Sequence, residues 1–246
     1  MAQMESLYEK KDSQGYVTLG YRRRIRLVPE KGSIVALLED DIHSVAVRLH
    51  HDDGRVSSVE PLLDRLPWTT CSGAAAVLVS TFNGLPLREV TMRRARKANC
   101  THLHDLAVLA AAHADDTDDT CFDIAVSDPV EGRRDLVLQR NGQIVLHWIE
   151  QGGVLVEPSQ WAGRTLFTLR DVIATLDANQ AEAARLLQWG AIVAHGRTIP
   201  FERQSDPSTI PANCYTFQPE QAASARRVGR VIDFSAEQRM PGETFA

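Results

Sequence analysis

The sequence predicts an α+β fold in which antiparallel strands and hairpins are followed by helices. Three observations support this class: residues 16–63 carry strand patterns, Pro67 is followed by helical patterns, and residues 121–246 repeat the same order. Strand runs followed by helix runs are typical of α+β proteins, whereas a parallel sheet needs alternating strands and helices. We therefore expect two similar-sized strand-then-helix halves packed together.

The strands of the first half are predicted from two hydrophobic patterns and a turn. Residues 33–38 are apolar on both faces, as expected of a strand that is covered on both sides. Further along, apolar residues alternate with others, which places Val45 and Val47 on one face. Asp53-Gly54 then supplies the positive φ angles that a tight hairpin turn needs.

Helices are predicted where helical periodicity is bounded by capping and stop residues. Ser72 and Asn99 are the predicted N-caps of the first and third helices. The predicted helices cover residues 73–82, 88–97, 100–113, 168–176, 180–195 and 220–227. In the second half, Asn141-Gly142 predicts a hairpin with an inward face formed by Leu136, Leu138, Ile144, Leu146 and Trp148.

The domain organisation is predicted from shifts in composition. Residues 1–15 are expected to form a flexible tail, and residues 16–114 the first half. The acidic stretch at residues 115–120 is the predicted linker to the second half, residues 121–246. The polar N-terminus also lacks the apolar stretch of a secretory signal.

Charge and hydropathy exclude two classes of partner. The 246-residue chain has a net charge of -5, so we expect no general affinity for nucleic acid, which depends on Lys and Arg neutralising phosphates. Two basic runs, residues 22–24 and 93–97, are interpreted as solvated faces, with an anion-binding patch as the alternative. No apolar run approaches the roughly 20 residues that span a bilayer, so we expect no membrane partner.

The cysteines indicate the cellular compartment. The chain has four cysteines, which lie far apart in the sequence and do not form the pattern of a disulfide scaffold. A reducing cytoplasm is therefore the expected location.

The richest concentration of reactive side chains begins a predicted helix. Cys100, Thr101, His102, His104 and Asp105 combine a thiol, a hydroxyl, two imidazoles and a carboxylate within little more than one turn. The helix dipole disfavours a positive charge on an imidazole in the first turn. We expect His102 to act in proton transfer with Asp105 as its partner, and the alternative is a buried histidine satisfied by the backbone.

A second candidate pair lies at the start of an apolar stripe. Asp41 and His43 project from the face that carries Val45 and Val47, where partial desolvation shifts pKa values toward acid/base work. We expect both to be catalytic, and the alternative is an ordinary turn followed by a strand end. The expected substrate-binding residues are Asp40, Arg65, Trp68, Thr70 and Thr101, with an ordinary core role as the alternative for Trp68.

No cofactor or metal is expected. The chain contains no nucleotide-binding glycine motif, nucleophile elbow or paired zinc-ligand spacing. If a metal binds, the expected ligands are Cys71, Cys100 and His104. The favoured interpretation of the two cysteines is that they are small buried apolar residues.

Several ordered segments resemble the DUF2889 family of bacterial proteins, over about residues 16–234. The segments are Tyr21-Arg22-Arg23-Arg24-Ile25, Leu38-Glu39-Asp40-Asp41-Ile42-His43, Arg65-Leu66-Pro67-Trp68-Thr69-Thr70-Cys71-Ser72-Gly73-Ala74 and Cys100-Thr101-His102-Leu103-His104-Asp105-Leu106, and the segment Cys214-Tyr215-Thr216-Phe217-Gln218-Pro219 resembles the C-terminal part of longer members. Family members usually carry an aromatic residue at the positions of Ile42 and His104, so His104 is not expected to have a shared role. The resemblance implies a shared core of Asp40, Asp41, His43, Thr70, Cys71, Cys100, Thr101, His102 and Asp105.

Paired Asp and His groups without an evident nucleophile favour a cofactor-independent lyase or isomerase. The resemblance associates the chain with aromatic catabolism, so a lignin-derived aromatic dimer is the expected substrate and formaldehyde release the expected reaction. In that reaction Asp41 would take the hydroxyl proton, and His43 or His102 would act as the acid. The alternatives are a non-catalytic binding protein for an aromatic acid or acyl thioester, and a zinc-dependent hydrolase. A homodimer is also expected.

Overall fold

Within residues 19–197 and 206–242, which the computed structural model describes, eight strands form one antiparallel sheet. The strands are β1 (Gly20–Glu30), β2 (Ser33–Asp40), β3 (Ser44–Asp52), β4 (Arg55–Arg65), β5 (Thr120–Ser127), β6 (Arg133–Arg140), β7 (Gln143–Gln151) and β8 (Val154–Glu157). Their order in the sheet is β4-β3-β2-β1-β5-β6-β7-β8. The predicted tail, residues 1–15, lies outside the described residues.

Helices follow the strands in both parts of the chain, which confirms the predicted α+β class. The α-helices are α1 (Ala74–Phe82), α2 (Leu87–Met92), α3 (Thr101–Ala112), α4 (Arg170–Ile173), α5 (Ala178–Ala194) and α6 (Pro219–Ala222). None of the helices in the described residues is long and apolar enough to cross a membrane. The acidic stretch between α3 and β5 is an exposed loop over residues 115–119.

The chain forms two compact units, each built from more than one segment. The first unit contains described residues 25–121, 206–231 and 242, and the second contains described residues 19–24, 122–197 and 232–241. In the first unit, α3 packs against β2 and β3 while α1 packs against β4. In the second unit, α5 packs against β6 and β7.

The core of the first unit follows from its strand patterns. β2 is buried along nearly its whole length, as its two apolar faces predict, and Val45 and Val47 of β3 are fully buried. Asp53 and Gly54 join β3 to β4 with φ angles of 47° and 70°, which confirms the predicted turn. β4 lies at the edge of the sheet. A proline such as Pro61, which has no backbone N–H, is tolerated in an edge strand because no hydrogen bond to a further strand is lost there.

The hairpin of the second unit confirms one prediction and corrects another. Asn141 and Gly142 join β6 to β7 with φ angles of 49° and 78°. Leu136, Leu138 and Trp148 of the predicted inward face are fully buried, but Ile144 is 56% exposed. A register shift after Leu138 explains the difference, because a β-bulge interrupts the strict alternation of side chains.

Helix boundaries were predicted less well than strands. Residues 69–73 form a 3₁₀ turn, so α1 begins at Ala74 without the predicted Ser72 cap. The predicted helix over residues 88–97 ends at Met92, since Arg93 is extended. Helices α4 and α6 are likewise shorter than predicted. α5 begins at Ala178, where the Asp177 side chain accepts a hydrogen bond from the backbone N–H of Gln180 at 2.9 Å.

The first basic run is not a solvated face. Arg22 and Arg23 are 2% and 0% exposed. The Arg23 guanidinium lies over the Tyr21 ring at 5.5 Å and the Trp189 ring at 4.5 Å. Aromatic faces accommodate a buried guanidinium through cation–π attraction, which sequence patterning does not reveal.

Candidate functional site

Asp40, His43 and His102 come together in the first unit. One ligand-type atom from each side chain lies within 4.8 Å of the other two, and all three residues are buried. The Asp40 and His43 positions flank the turn between β2 and β3, and His102 lies in the first turn of α3. The structure thus assembles both predicted catalytic histidines beside a carboxylate.

The turn between β2 and β3 is organised by the Asp40 side chain. Its Oδ1 accepts the backbone N–H of Ile42 at 2.8 Å and that of His43 at 2.6 Å. The backbone N–H of Asp40 donates to the His43 carbonyl at 2.8 Å, which closes the turn. Asp side chains commonly stabilise turns in this way, so the local sequence itself positions the carboxylate.

Arg65 fixes the same turn from β4. Its Nη2 donates to the Asp40 carbonyl at 2.8 Å and to the His43 carbonyl at 3.3 Å. The same nitrogen lies 3.3 Å from Oε1 of Glu39, a carboxylate that is only 5% exposed. Arg65 was expected to bind substrate; in the structure its Nη2 is bonded to the turn that carries Asp40 and His43 and to Glu39.

The Asp40 carboxylate also orients the His43 ring. Nδ1 of His43 lies 3.1 Å from Oδ1 of Asp40. Oδ1 of Asp40 already accepts two backbone N–H groups, so we assign the imidazole proton to Nδ1, which makes Nε2 the proton acceptor. The His43 side chain is 11% exposed, whereas the Asp40 side chain is fully buried.

His102 stacks on this oriented imidazole. The centroids of the His43 and His102 rings are 3.9 Å apart, with an angle of 28° between the ring planes. α3 carries His102 to this position because its buried face, including Leu103, Leu106 and Ala107, packs on β2 and β3. The stacked ring of His102 fixes the plane of the His43 imidazole, which suits acid/base chemistry at Nε2 of His43.

The structure distinguishes the two predicted carboxylates from Asp40. Asp41 is fully buried in the turn next to Asp40, but it is the Asp40 carboxylate that lies against the His43 ring. Asp105, the expected partner of His102, contacts Arg96 at 2.5 Å and Nδ1 of His104 at 3.0 Å. Asp105 therefore belongs to a neighbouring polar cluster that joins α3 to the segment before it.

Both ring nitrogens of His104 contact protein groups. Nδ1 lies against Asp105, and Nε2 accepts the backbone N–H of Ala95 at 3.3 Å. Over residues 19–197 and 206–242, Asp40, His43 and His102 form the sole group of three His, Cys, Asp or Glu side chains arranged to share a metal ion. Cys71, Cys100 and His104 do not form such a group there.

Asn99 supports this region in an unexpected way. It was predicted to cap α3, but the residue at the N-cap position is Cys100, without a side-chain hydrogen bond. The Asn99 amide instead donates to the Ala95 carbonyl at 3.0 Å and to Oγ1 of Thr81 at 3.1 Å. Asn99 thus ties α3 to the preceding loop and to α1.

The cysteines near the site are neutral thiols. Burial raises the pKa of Cys71, whose Sγ lies 3.3 Å from Oγ1 of Thr216. Burial also raises the pKa of Cys214 and raises that of Cys100 to about 12. A thiol with a raised pKa is a poor nucleophile and a poor metal ligand at neutral pH.

The raised pKa of Cys100 has a consequence for stability in alkali. The unfolded thiol has its ordinary value of 9.0, and the folded value is about 12, so stability from the protonated thiol is present below pH 9 and is lost as the pH rises toward 12. At about pH 10.5, we expect Cys100 to account for roughly 2 kcal/mol of alkaline destabilisation. Urea unfolding of the wild type and Cys100→Ala at pH 7 and pH 10.5 measures it (the pH 7 pair gives the packing effect alone). An equal pH dependence in both proteins would contradict the assignment.

Trp68 lies in an aromatic cluster of the first unit. The Trp68 ring is 4% exposed and meets the Phe217 ring edge-on at 5.7 Å. The Arg227 guanidinium lies 5.0 Å from its centroid. Thr70 Oγ1 donates to Oγ1 of Thr216 at 3.3 Å, and Thr101 is the first residue of α3.

Sequence reasoning did not place Arg227, Thr216 and Phe217 near Trp68 and Thr70. The segment around residues 214–219 carried a family resemblance, but no pattern within it linked it to Trp68. The link is made by chain contacts over more than 140 positions, such as that between Cys71 and Thr216.

Comparison with known proteins does not identify the chain. No model of a known protein family matches it, and no curated protein matches it in a sequence search.

Proposed function

We propose that this chain is a lyase, related to the DUF2889 family, that acts on an apolar aromatic compound bearing a hydroxymethyl group and uses no organic cofactor. The observation that carries this proposal is the contact of Asp40, His43 and His102 in one buried cluster. A lignin-derived dimer is the proposed substrate class, and the proposed products are formaldehyde and the shortened aromatic compound.

The chemistry begins at the substrate hydroxyl. Nε2 of His43 takes the hydroxyl proton while Asp40, at Nδ1, stabilises the imidazolium that forms. The carbon–oxygen bond becomes a carbonyl as the adjacent carbon–carbon bond breaks, and formaldehyde leaves. The electron pair of the broken bond remains on the ring-activated carbon, which takes back the proton now held by Nε2 of His43. This return of the proton leaves His43 neutral again, and the stacked His102 ring holds the His43 imidazole in position throughout.

Asp41 was the base expected from sequence, and two observations favour His43 in that role. The Asp41 residue is 0% exposed, whereas the His43 side chain keeps 11% exposure. His43 also has a carboxylate against its other nitrogen, an arrangement that fixes the tautomer of catalytic histidines. Asp41 is proposed to support the turn.

The test of this function is product analysis on matched substrates. Purified protein is incubated with an aromatic dimer that has a free hydroxymethyl group and with its methyl ether, which has no hydroxyl proton to remove. We expect equimolar formaldehyde and shortened product from the alcohol and no reaction of the ether. Binding of the alcohol without any product would favour a non-catalytic binding protein for an aromatic acid or acyl thioester.

The geometry also supports a second candidate, a metal-dependent hydrolase. Two imidazoles and one carboxylate are a common ligand set for zinc and iron(II), and Asp40, His43 and His102 are close enough to share one ion. In this candidate the metal ligands are Asp40, His43 and His102, and not the set of Cys71, Cys100 and His104 that was the alternative expected from the sequence.

Elemental analysis separates the two candidates. For the acid/base lyase we expect less than about 0.1 equivalent of zinc or iron in purified protein, because these residues then act through protons. Near-stoichiometric metal in the wild type that is lost in His102→Asn but kept in His147→Asn would instead establish the metal site. His147 serves as the control because it is exposed and lies 2.8 Å from Asp135 in the second unit.

A cytoplasmic location and a homodimer are part of the same proposal. The free thiols of Cys71, Cys100 and Cys214 support a reducing compartment. Light scattering of the purified protein tests the dimer.

A further inference from the structure

We propose that two copies of the chain associate through two oppositely charged loops of the first unit. These are residues 93–97, hereafter the basic loop, and residues 115–119, hereafter the acidic loop. The basic loop of each copy meets the acidic loop of the other. The inference rests on the proposed function only for the existence of a homodimer, and it assigns the surface through which that dimer forms.

The basic loop presents cations that have no carboxylate partner. Arg93, Arg94, Arg96 and Lys97 are all exposed. Arg96 lies 2.5 Å from Asp105, whereas the other three cations form no ion pair with any residue that the structure describes. Three positive charges on adjacent positions of one loop repel each other, so an incoming group of carboxylates stabilises the loop.

Buried side chains hold the backbone of the basic loop in place. The Ala95 N–H donates to Nε2 of His104 at 3.3 Å, and the Ala95 carbonyl accepts from the Asn99 amide at 3.0 Å. His104 and Asn99 are 2% and 0% exposed. The Gln218 amide donates to the Lys97 carbonyl at 2.8 Å. The cations therefore stand on a backbone that is ordered before binding, which lowers the entropic cost of association.

The surroundings of the basic loop have the composition of a protein interface. Three of the four cations are arginines, and Met92, which directly precedes them, is 62% exposed. Arginine and methionine are enriched where proteins meet, whereas lysine is depleted there. An exposed methionine beside arginines favours a protein partner over a small anion, because a small anion gains nothing from the apolar side chain.

The acidic loop offers the complementary charge. Its four carboxylates, on Asp115, Asp116, Asp118 and Asp119, belong to exposed residues. Asp116 and Asp119 contact a histidine and an arginine of the same unit. Asp115 and Asp118 have no cationic partner within the part of the chain that the structure describes. Each copy thus carries uncompensated positive charge on one loop and uncompensated negative charge on the other.

Helix α3 keeps the two loops apart within one copy. The basic loop precedes α3 and the acidic loop follows it, and the 12 residues of the helix span about 18 Å. That separation is too long for an ion pair, so each loop needs a second copy to supply its counterpart. A twofold axis perpendicular to α3 exchanges the two ends of the helix. Both basic loops then meet acidic loops at once, which closes the assembly at a dimer.

The salt dependence of the wild type is the first test. Salt screens ion pairs between exposed charges, so an association that depends on them weakens as salt is added. Sedimentation velocity measures self-association at about 25 mM and about 500 mM NaCl. We expect a dimer at low salt and a dissociation constant at least about 10-fold higher at high salt. A wild type that is monomeric at low salt, or a dimer that is indifferent to salt, would overturn the inference.

A charge swap is the second and sharper test. In the variant Arg93→Glu/Arg94→Glu both loops are negative, and in the variant Asp115→Lys/Asp118→Lys both loops are positive. We expect each variant alone to be monomeric at low salt, because like charges then face each other in the dimer. Mixed in equal amounts, the two variants should form a 1:1 heterodimer, since both loop contacts are again between opposite charges.

The matched control is Arg170→Glu/Arg185→Glu, which makes the same charge change on exposed arginines of the second unit. We expect this control to dimerise like the wild type. Either loop variant remaining dimeric alone, or a mixture that stays monomeric, would contradict the assigned surface, and the wild-type salt dependence decides the matter where a variant does not fold. Formaldehyde release is a separate readout. A charge-dependent dimer without turnover would contradict the lyase alone, whereas turnover by a charge-indifferent dimer would contradict this surface alone.

Discussion

Replacing His43 with Asn is expected to lower kcat/KM for the hydroxymethyl-bearing dimer on the order of a thousandfold, the effect of removing a general base. Asn keeps a polar side chain at the turn but has no nitrogen that titrates near neutral pH. The hydrogen bond between the side chain and Asp40 can then persist while proton transfer is lost. The measurement is the initial rate of formaldehyde release by the wild type and the variant.

A histidine on the same strand provides the control. His50 of β3 lies 3.1 Å from Oε1 of Glu60 and is partly exposed. We expect His50→Asn to keep kcat/KM within about twofold of the wild type, because His50 lies toward the far end of β3 from the Asp40–His43 turn and its exposed pair with Glu60 contributes little to stability. A fully active, folded His43→Asn protein would remove His43 from the mechanism.

Replacing Arg65 with Met is expected to lower the free energy of unfolding by about 3 kcal/mol, a value typical of breaking a buried ion pair. The Arg65 side chain is 10% exposed, and it binds two backbone carbonyls as well as the buried Glu39 carboxylate. Its removal weakens the turn that holds Asp40 and His43, so we expect activity to fall together with stability. Urea unfolding provides the measurement.

Arg48→Met is the matched comparison for Arg65→Met. Arg48 forms an ion pair with Glu30, but both side chains are substantially exposed, at 32% and 45%. We expect a loss below about 1 kcal/mol, as for other exposed ion pairs. If Arg48→Met is destabilised as much as Arg65→Met, the buried location of Arg65 is not what makes it important.

The strands were predictable because their signals are local. Asp53-Gly54 and Asn141-Gly142 adopt the positive φ angles of hairpin turns wherever two apolar runs flank them. Helix starts were less predictable, since the Asn99 side chain finds its partners in Ala95 and Thr81. Because the Asn99 side chain hydrogen-bonds to groups outside α3, it is not available to cap that helix.

The candidate site was predictable where residue type alone is informative. His43 and His102 stand out in the sequence, and the structure brings their rings into contact. The choice between Asp40 and Asp41 depended on a tight turn that strand alternation does not describe. The contact of Arg227 with Trp68 was not predictable, because the two residues lie far apart in the sequence and are joined only by a tertiary backbone bridge.

The cluster of Asp40, His43 and His102 combines a contact within one turn and a contact between that turn and a helix, and these two contacts differ in how easily thermal fluctuation breaks them. Asp40 and His43 are held by a turn that closes on itself, so this pair survives as long as the hairpin does. The His102 ring contacts this pair only while the first turn of α3 remains folded and packed on the sheet. Fraying of a helix end takes less free energy than unfolding a sheet. We therefore expect moderate warming to inactivate the protein reversibly while the hairpin is still folded, at a temperature below that of global unfolding.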